Sequence, residues 1–532
     1  MENQGRTSYW YCTVVLLVVL LFAFIRFRVR DIPLERDEGE YAYAGQLILQ
    51  GIPPYQLAYN MKLPGTYAAY AVILAVLGQT STGIHYGLLL MNAATTLLVY
   101  FLAARLFGRL AAVTASASYA LLSTGESVLG LAGHATHFVV LMALGALLLL
   151  LKAMDCGRVG LFFLSGVLAG LAFLMKQPGI SFVLFCGLYL LKDEVRNPVD
   201  WKGLGRRVGA FSFGAALPFG LTCMWLFRAG VFRNFWFWTF SYASQYATSV
   251  GFTEGLHELW TAIPRVLGPS VWIWIVAAVG LTALLWNSKI RPQAILAGGF
   301  LLFSFLAVCP GLNFRAHYFI LILPAVSLLA GVAVRSATDA LREGHHKRTL
   351  QFVPVMLFVA AFAYSVFQQK AFFFEMDPPA ICRAVYHENP FPEAVKIADY
   401  LRTHTPKDAK IAVLGSEPEI FFYSGRHSAT GHIYTYGLME RQKYALQMQK
   451  EAVSEIEAAH PEFIVLVNVP VSWGVRPNSE TFILAWAKQY LEAYEQVGIA
   501  DILEKPEYHW DDEAKARQPR ALFTVRVLKR KS

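Results

Sequence analysis

Eleven apolar segments occupy most of the first 368 residues, and that pattern leaves few folds open. They run at about 10–28, 84–107, 109–124, 134–153, 159–175, 178–192, 208–228, 268–287, 293–310, 317–334 and 351–368. A helix needs roughly 20 apolar residues to cross a bilayer, with a lower limit near 17. These segments meet or approach that length, whereas 66–77 is too short and reads as a helix lying at the interface. Charged residues make up only 16% of the chain, against about 25% in soluble proteins. The sequence is therefore expected to be an integral membrane protein with many helices. The first apolar run follows a short polar start without a small-residue cleavage site, so it reads as a retained span.

Basic residues orient the spans. With 66–77 held at the interface, Arg105 and Arg109, Lys152 and Arg158, and the basic group within 192–207, Arg196 among them, fall on one side. Lys289 and Arg291 fall there too, with a further group from Arg335 to Lys347 and Arg348. The positive-inside rule names that side cytoplasmic. The same rule accounts for the net charge of +9. No basic stripe interleaved with exposed aromatics is present, so nucleic acid is not an expected partner. Arg26, Arg28 and Arg30 break the pattern, because they fall outside; they either snorkel locally or meet an anionic lipid. The run 235–240, Phe-Trp-Phe-Trp-Thr-Phe, reads as an interfacial aromatic belt.

Beyond residue 370 the composition changes. Charges become frequent and spans stop. A helix opened by proline is expected over 392–404, buried strands over 410–414 and 462–469, a helix over 444–459 between them, and a final strand over 521–528. Alternating strands and helices predict a small α/β domain. The expected division is thus 1–369 for the membrane domain and 370–532 for an extracytoplasmic domain. Of six cysteines, only Cys382 lies in clearly polar sequence, and no Cys-x-x-Cys pair exists, so neither a disulfide there nor a zinc site of that type is expected.

The stretch that carries chemistry lies between the first two long apolar segments. Five acids fall within 31–40, and none follows from 41 to 125. Charge at the edge of a bilayer is costly unless it is solvated, paired or used. Asp37, Glu38 and Glu40 are candidate general bases. Lys62, Lys176, Arg315 and His317 are candidate anion ligands, all expected near the outer surface. Each has a plain alternative: a solvated loop for the acids, a turn residue at Lys62, a snorkelling lysine at Lys176, a helix-start histidine at His317. Acid and cations at one depth suit transfer from a lipid phosphate, with the cations on the leaving phosphate and a carboxylate on the acceptor hydroxyl. His134 and His137, spaced i, i+3, suit either a buried polar network or a metal ion.

Five stretches together resemble a known family. They are Asp37-Glu38-Gly39-Glu40-Tyr41, Asn60-x-Lys62-x-Pro64-Gly65, Ala103-Ala104-Arg105-Leu106-Phe107-Gly108, Phe173-Leu174-Met175-Lys176-Gln177 and His317-Tyr318-Phe319. In order and spacing the chain resembles the polytopic GT-C glycosyltransferases, in the bacterial branch related to protein O-mannosyltransferases and ArnT-type aminoarabinose transferases. The resemblance covers about 8–370, and the C-terminal segment is similar to the outer-face domain of those proteins. It implies a GT-C-like membrane domain and inverting transfer from a polyprenyl-phosphate sugar to a lipid, glycan or protein hydroxyl at the outer face of a bacterial inner membrane. It implies Asp37 as the catalytic base with Glu38 as its motif neighbour, and Lys62 and Lys176 on the donor phosphate with Arg315 and His317 assisting. No cofactor is required, although a divalent cation is compatible. Relatives often place an acid before the fourth span; here 133–137 reads Gly-His-Ala-Thr-His, without one.

Two other function classes fit parts of the sequence. A lipid-sugar transporter or flippase would also bind a lipid phosphate, but such proteins often show related halves and charges at the midplane, neither of which is visible here. A non-catalytic assembly protein on the same fold is the other.

Overall fold

The computed structural model describes residues 2–192, 200–344 and 349–531, so Arg196, Lys347 and Arg348 lie outside the described residues. The chain forms two compact units. One takes the residues up to Arg30 with His85–Cys223 and Val250–Met376; the other takes Asp31–Ile84, Met224–Ser249 and Asp377–Ser532.

The first unit is helical. Among the described residues, seven helical stretches are long and apolar enough to cross a bilayer. All eleven apolar segments are helical. Segment 10–28 lies in α1 (Glu2–Arg28). Segments 84–107 and 109–124 form one continuous element, α4 (Ser81–Leu122), broken at Gly108, whose φ of 81° is left-handed backbone open to glycine. Before it come α2 (Arg36–Leu49) and α3 (Gly65–Leu77), both in the second unit. α5 (Ala135–Cys156), α6 (Val159–Met175) and α7 (Ile180–Leu191) follow, then α8 (Trp201–Arg228). The chain is a multi-pass membrane protein, mostly helical, with a small C-terminal sheet.

Helix contact in this unit depends on small residues. A Cβ placed on Gly166 or Gly170 of α6 would collide with the carbonyls of Phe211 and Ala215 on α8, and one on Gly331 would meet the Ala111 carbonyl of α4. In lipid, apolar side chains gain little by leaving the solvent, so close backbone approach supplies the packing.

The arginine triplet after the first span is largely accounted for by contacts inside this unit. Arg28 donates to the carbonyls of Phe372, Phe373 and Met376 at 3.1, 2.9 and 2.6 Å, capping a helical turn. Arg30 lies 4.5 Å over the Phe27 ring. Arg26 is buried, 4% exposed. The expected choice between snorkelling and lipid contact therefore omitted the third option, backbone capping, that Arg28 takes.

The second unit holds a six-stranded sheet ordered β2-β1-β3-β6-β4-β5. The strands are β1 (Lys410–Leu414), β2 (His427–Ser428), β3 (Phe463–Asn468), β4 (Tyr494–Asp501), β5 (Glu507–Trp510) and β6 (Thr524–Arg530). β1 runs parallel to β2 and β3, joined to β3 through the helix Ala445–Ala459, and the remaining pairs are antiparallel. The helix Phe391–His404 and strand β1 fall where the sequence places them, while the last strand starts three residues later than expected. Asp31–Ile84 and Met224–Ser249 pack with this sheet segment in one unit. The 235–240 run is consequently not a uniform belt: Phe235, Trp238 and Thr239 are buried, and Trp236 points outward, 47% exposed.

Candidate functional site

The start of α2 decides which acids face where. Glu35 is its N-cap: the Glu38 backbone N–H donates to Glu35 Oε1 at 2.9 Å, and the Glu35 N–H donates to Glu38 Oε2 at 3.4 Å. This reciprocal capping box satisfies helix-start donors that would otherwise be orphaned. Glu38 is 0% exposed. Its carboxylate caps the helix.

Asp37 and Glu40, three residues apart, share the neighbouring face of the helix. Lys62 reaches both. Its Nζ lies 2.7 Å from Asp37 Oδ1 and 2.6 Å from Glu40 Oε2. The backbone here is held by the Tyr55 hydroxyl, which donates to the Lys62 carbonyl at 2.7 Å, and by Pro64, which opens α3. The ammonium also lies 4.6 Å over the Tyr41 ring.

The two acids differ in environment. The Asp37 side chain is 21% exposed and that of Glu40 only 1%. Buried carboxylates need donors to stay ionised, and Glu40 has three: Lys62, the Tyr67 hydroxyl, and the Tyr434 hydroxyl at 2.8 Å. Burial still pushes its carboxyl above the ordinary range, with Lys62 opposing that shift. Burial also works against the Lys62 charge, yet Asp37 and Glu40 outweigh it and hold the ammonium well above the usual lysine value. Lys62 is thus a fixed cation with one buried acid as anchor and one reachable acid as neighbour.

Beside this network is a small concavity lined by Tyr59, Asn60, Trp238, His432, Tyr434 and Tyr436 among others. Tyr59 stacks on Trp238 with centroids 5.6 Å apart and meets His432 edge-on at 5.2 Å. Asn60 Nδ2 is buried with no hydrogen-bond partner among the described residues. Aromatic faces with a few polar groups are the usual make-up of a small-molecule site.

Lys176, Arg315 and His317 belong to the helical unit. Lys176 ends α6, and its Nζ lies 4.2 Å over the Tyr318 ring. His317 meets Tyr318 edge-on at 4.7 Å and stacks on His134 at 4.2 Å, with 12° between the planes. Arg315 is exposed at the start of the short helix Ala316–Leu321. His134 and His317 are a pair whose imidazole nitrogens could ligate a cation together. His137, buried one turn into α5, is not part of that stack.

The structure brings Asp37, Glu40 and Lys62 together in one unit, and Lys176, Tyr318, His317 and His134 together in the other. Sequence reasoning missed Tyr67, Tyr434 and the His134–His317 stack. Helical spacing from Asp37 could have singled out Glu40 over Glu38.

Residues 62–213 match the family described as dolichyl-phosphate-mannose-protein mannosyltransferase. No curated protein matches the sequence significantly. Among solved structures, ArnT from Cupriavidus metallidurans bound to undecaprenyl phosphate superposes with a TM-score of 0.58 at 15% identity, covering 98% of each chain. Its apo form gives 0.58 at 16% identity, again with 98% of each chain covered. The archaeal oligosaccharyltransferase AglB from Archaeoglobus fulgidus, in complex with an inhibitory peptide and a dolichol-phosphate, gives 0.55 at 11% identity, covering 95% of this chain and 75% of its own. The fold is the GT-C fold of these proteins, and the resemblance read from the sequence holds both in the family match and in the structure.

Proposed function

We propose, proceeding from that fold, that this chain is an inverting glycosyltransferase. It would move a sugar from a polyprenyl-phosphate donor to an acceptor hydroxyl at the outer face of the bacterial inner membrane, with the segment 370–532 extracytoplasmic. The observation that carries the reading is the Asp37–Lys62–Glu40 arrangement: a reachable carboxylate next to a cation that a buried acid keeps in place. Asp37 removes the proton from the acceptor hydroxyl. The oxygen attacks C1 of the sugar as the bond from C1 to the phosphate oxygen breaks on the opposite face. The polyprenyl phosphate leaves with the electron pair, and Lys62 compensates its charge, with Lys176, Arg315 and His317 kept as further candidates for that task. The aromatic concavity supplies flat apolar surface of the kind a sugar ring packs against. Glu38 is a cap in this reading and supports the site only through α2.

Transfer at this site separates the enzyme from a flippase or an assembly protein. Purified full-length protein in nanodiscs, given a panel of polyprenyl-phosphate sugars and acceptor extract, is expected to release free polyprenyl phosphate. Asp37→Asn should lower release by about 10²–10⁴-fold, the range for loss of a general base, with donor binding retained. Release at the wild-type rate in the variant would remove Asp37 as the base. Donor binding without release for every acceptor would favour transport.

A further inference from the structure

The helix Phe252–Leu267 of the helical unit carries its side chains in three stripes, each repeating every three or four residues. Gly255, Leu259, Ala262 and Val266 form the stripe turned to the protein, with Gly255 and Val266 buried and the other two half-buried. A Cβ on Gly255 would collide with the Leu312 side chain. The helix packs on the short helices Glu126–Val128, just beyond α4, and Ala316–Leu321, just before the helix Leu323–Glu343. It therefore sits where spans end. Glu254, His257, Glu258 and Arg265 form the second stripe, and all four are exposed. Phe252, Leu256 and Trp260 form the third; they are 73, 51 and 76% exposed. With 3.6 residues per turn, this apolar stripe is about 90° round from the buried one and nearly opposite the charged one.

We infer that this helix lies flat in the bilayer interface, with Phe252, Leu256 and Trp260 inserted among the lipids. An apolar stripe opposite a charged one is the pattern of an interfacial helix, which sinks about 5–10 Å into the headgroup boundary. Its 16 residues fall short of the roughly 17–20 needed to cross. Glu254, Glu258 and Arg265 would also lose water in a crossing helix. The chain can turn from lying to crossing directly afterwards. Pro264 lacks a helix N–H in the last turn, and the short 3-10 turn Gly268–Ser270 leads into the helix Val271–Trp286. That next helix supplies the continuity with lipid: Trp272, Ile275 and Val279 are 50, 45 and 49% exposed, as side chains facing a bilayer are. Trp272, at its near end, stands where interfacial tryptophans gather. The lipid surface that Val271–Trp286 requires thus extends under the exposed apolar stripe. The inference is independent of the transfer chemistry proposed above and uses none of its residues.

The test uses full-length protein in nanodiscs of phosphatidylcholine and phosphatidylglycerol, with the exposed Cys12 and Cys156 replaced by serine. Nitroxide spin labels are placed one at a time through Leu256→Cys, Trp260→Cys, Glu254→Cys and Glu258→Cys, and the signal of the background protein is subtracted. These side chains are exposed, so the substitutions should leave the melting temperature unchanged. Collision with oxygen, which concentrates in lipid, is compared with collision with a water-soluble nickel chelate. The oxygen-to-nickel ratio should be several-fold higher at 256 and 260 than at 254 and 258. Labels at Phe252→Cys and Ile263→Cys, about 16 Å apart along the axis, should report the same depth. Three results would overturn the inference. Equal ratios on the two stripes would put the apolar stripe in water. Protection of 256 and 260 from both reagents would mean that protein covers them, as in a dimer of this chain. A depth difference between 252 and 263 approaching their axial separation would make the helix a crossing one.

Discussion

The Tyr434 hydroxyl donates to Glu40 at 2.8 Å, joining side chains 394 residues apart in sequence. The same hydroxyl lies 3.0 Å from the Arg36 carbonyl. The first loop and the C-terminal segment are therefore tied at the acid that anchors Lys62. At 1% exposure the carboxylate has these donors in place of water.

Removing that donor should weaken both fold and site. Tyr434→Phe keeps the ring and deletes one hydrogen bond to a buried charge, a loss of about 1–3 kcal/mol. The expected outcome is a lower melting temperature with lowered transfer, since Lys62 loses the rigidity of its anchor. Unchanged melting would show that Glu40 is adequately held by Lys62 and Tyr67 alone.

Lys62 and Glu40 should behave as one unit. Lys62→Met leaves a buried carboxylate uncompensated, which costs about 3–5 kcal/mol. Glu40→Gln removes the buried charge, so the double variant Lys62→Met with Glu40→Gln should be more stable than the sum of the two single changes predicts. A double-mutant cycle read by thermal unfolding measures this coupling, expected at about 0.5–3 kcal/mol. Additive losses would mean that the 2.6 Å contact contributes nothing to the folded state.

What was legible in the sequence follows from what local physics fixes. The apolar segments were readable because a bilayer dictates their length, and 159–175 coincides with the helix Val159–Met175. The strand 410–414 was readable because a short apolar run bounded by polar residues has few other uses. Asp37 and Lys62 were readable as candidates, but not as a pair, since 25 residues and a turn separate them. Glu38 and Glu40 differ in sequence only by their spacing from Asp37; the capping box, which turns Glu38 into the helix start, shows what that spacing means. Tyr434 and the His134–His317 stack depend on contacts between distant segments, for which one sequence carries no local signal.

A second buried acid in the sheet-bearing unit gives a pH signature. Glu419 is 0% exposed, and among the described residues no other residue hydrogen-bonds to its carboxyl oxygens. Burial, reinforced by the neighbouring Glu417, raises its pKa well above the ordinary value. The folded protein then holds this proton at pH values where the unfolded chain has released it, so stability falls as pH rises from the ordinary carboxylate value toward the raised one. Glu419→Gln has no proton to lose. Its advantage over wild type should be small near pH 4, the ordinary carboxylate range, and grow as pH rises above it, read as melting temperature against pH. A constant difference across that range would show that the carboxyl titrates normally.

The last prediction concerns how the helical unit stays closed. Gly331 lies against the Ala111 carbonyl of α4, so that an added Cβ would collide with backbone, whereas Gly298, on the helix Ala294–Val308, has open space where its Cβ would be. Both glycines sit in apolar helices, so both Gly→Ala changes gain the same roughly 1 kcal/mol of helix propensity. Overpacking at a backbone contact costs about 1–3 kcal/mol and cannot be relieved by a rotamer change. Gly331→Ala should therefore lower the melting temperature of the detergent-purified protein while Gly298→Ala raises it or leaves it unchanged. The pair separates packing from propensity, because only the packing differs between the two positions. Equal shifts in both variants would mean that α4 and the helix Leu323–Glu343 can move apart at little cost, and that the close crossing is not what holds them.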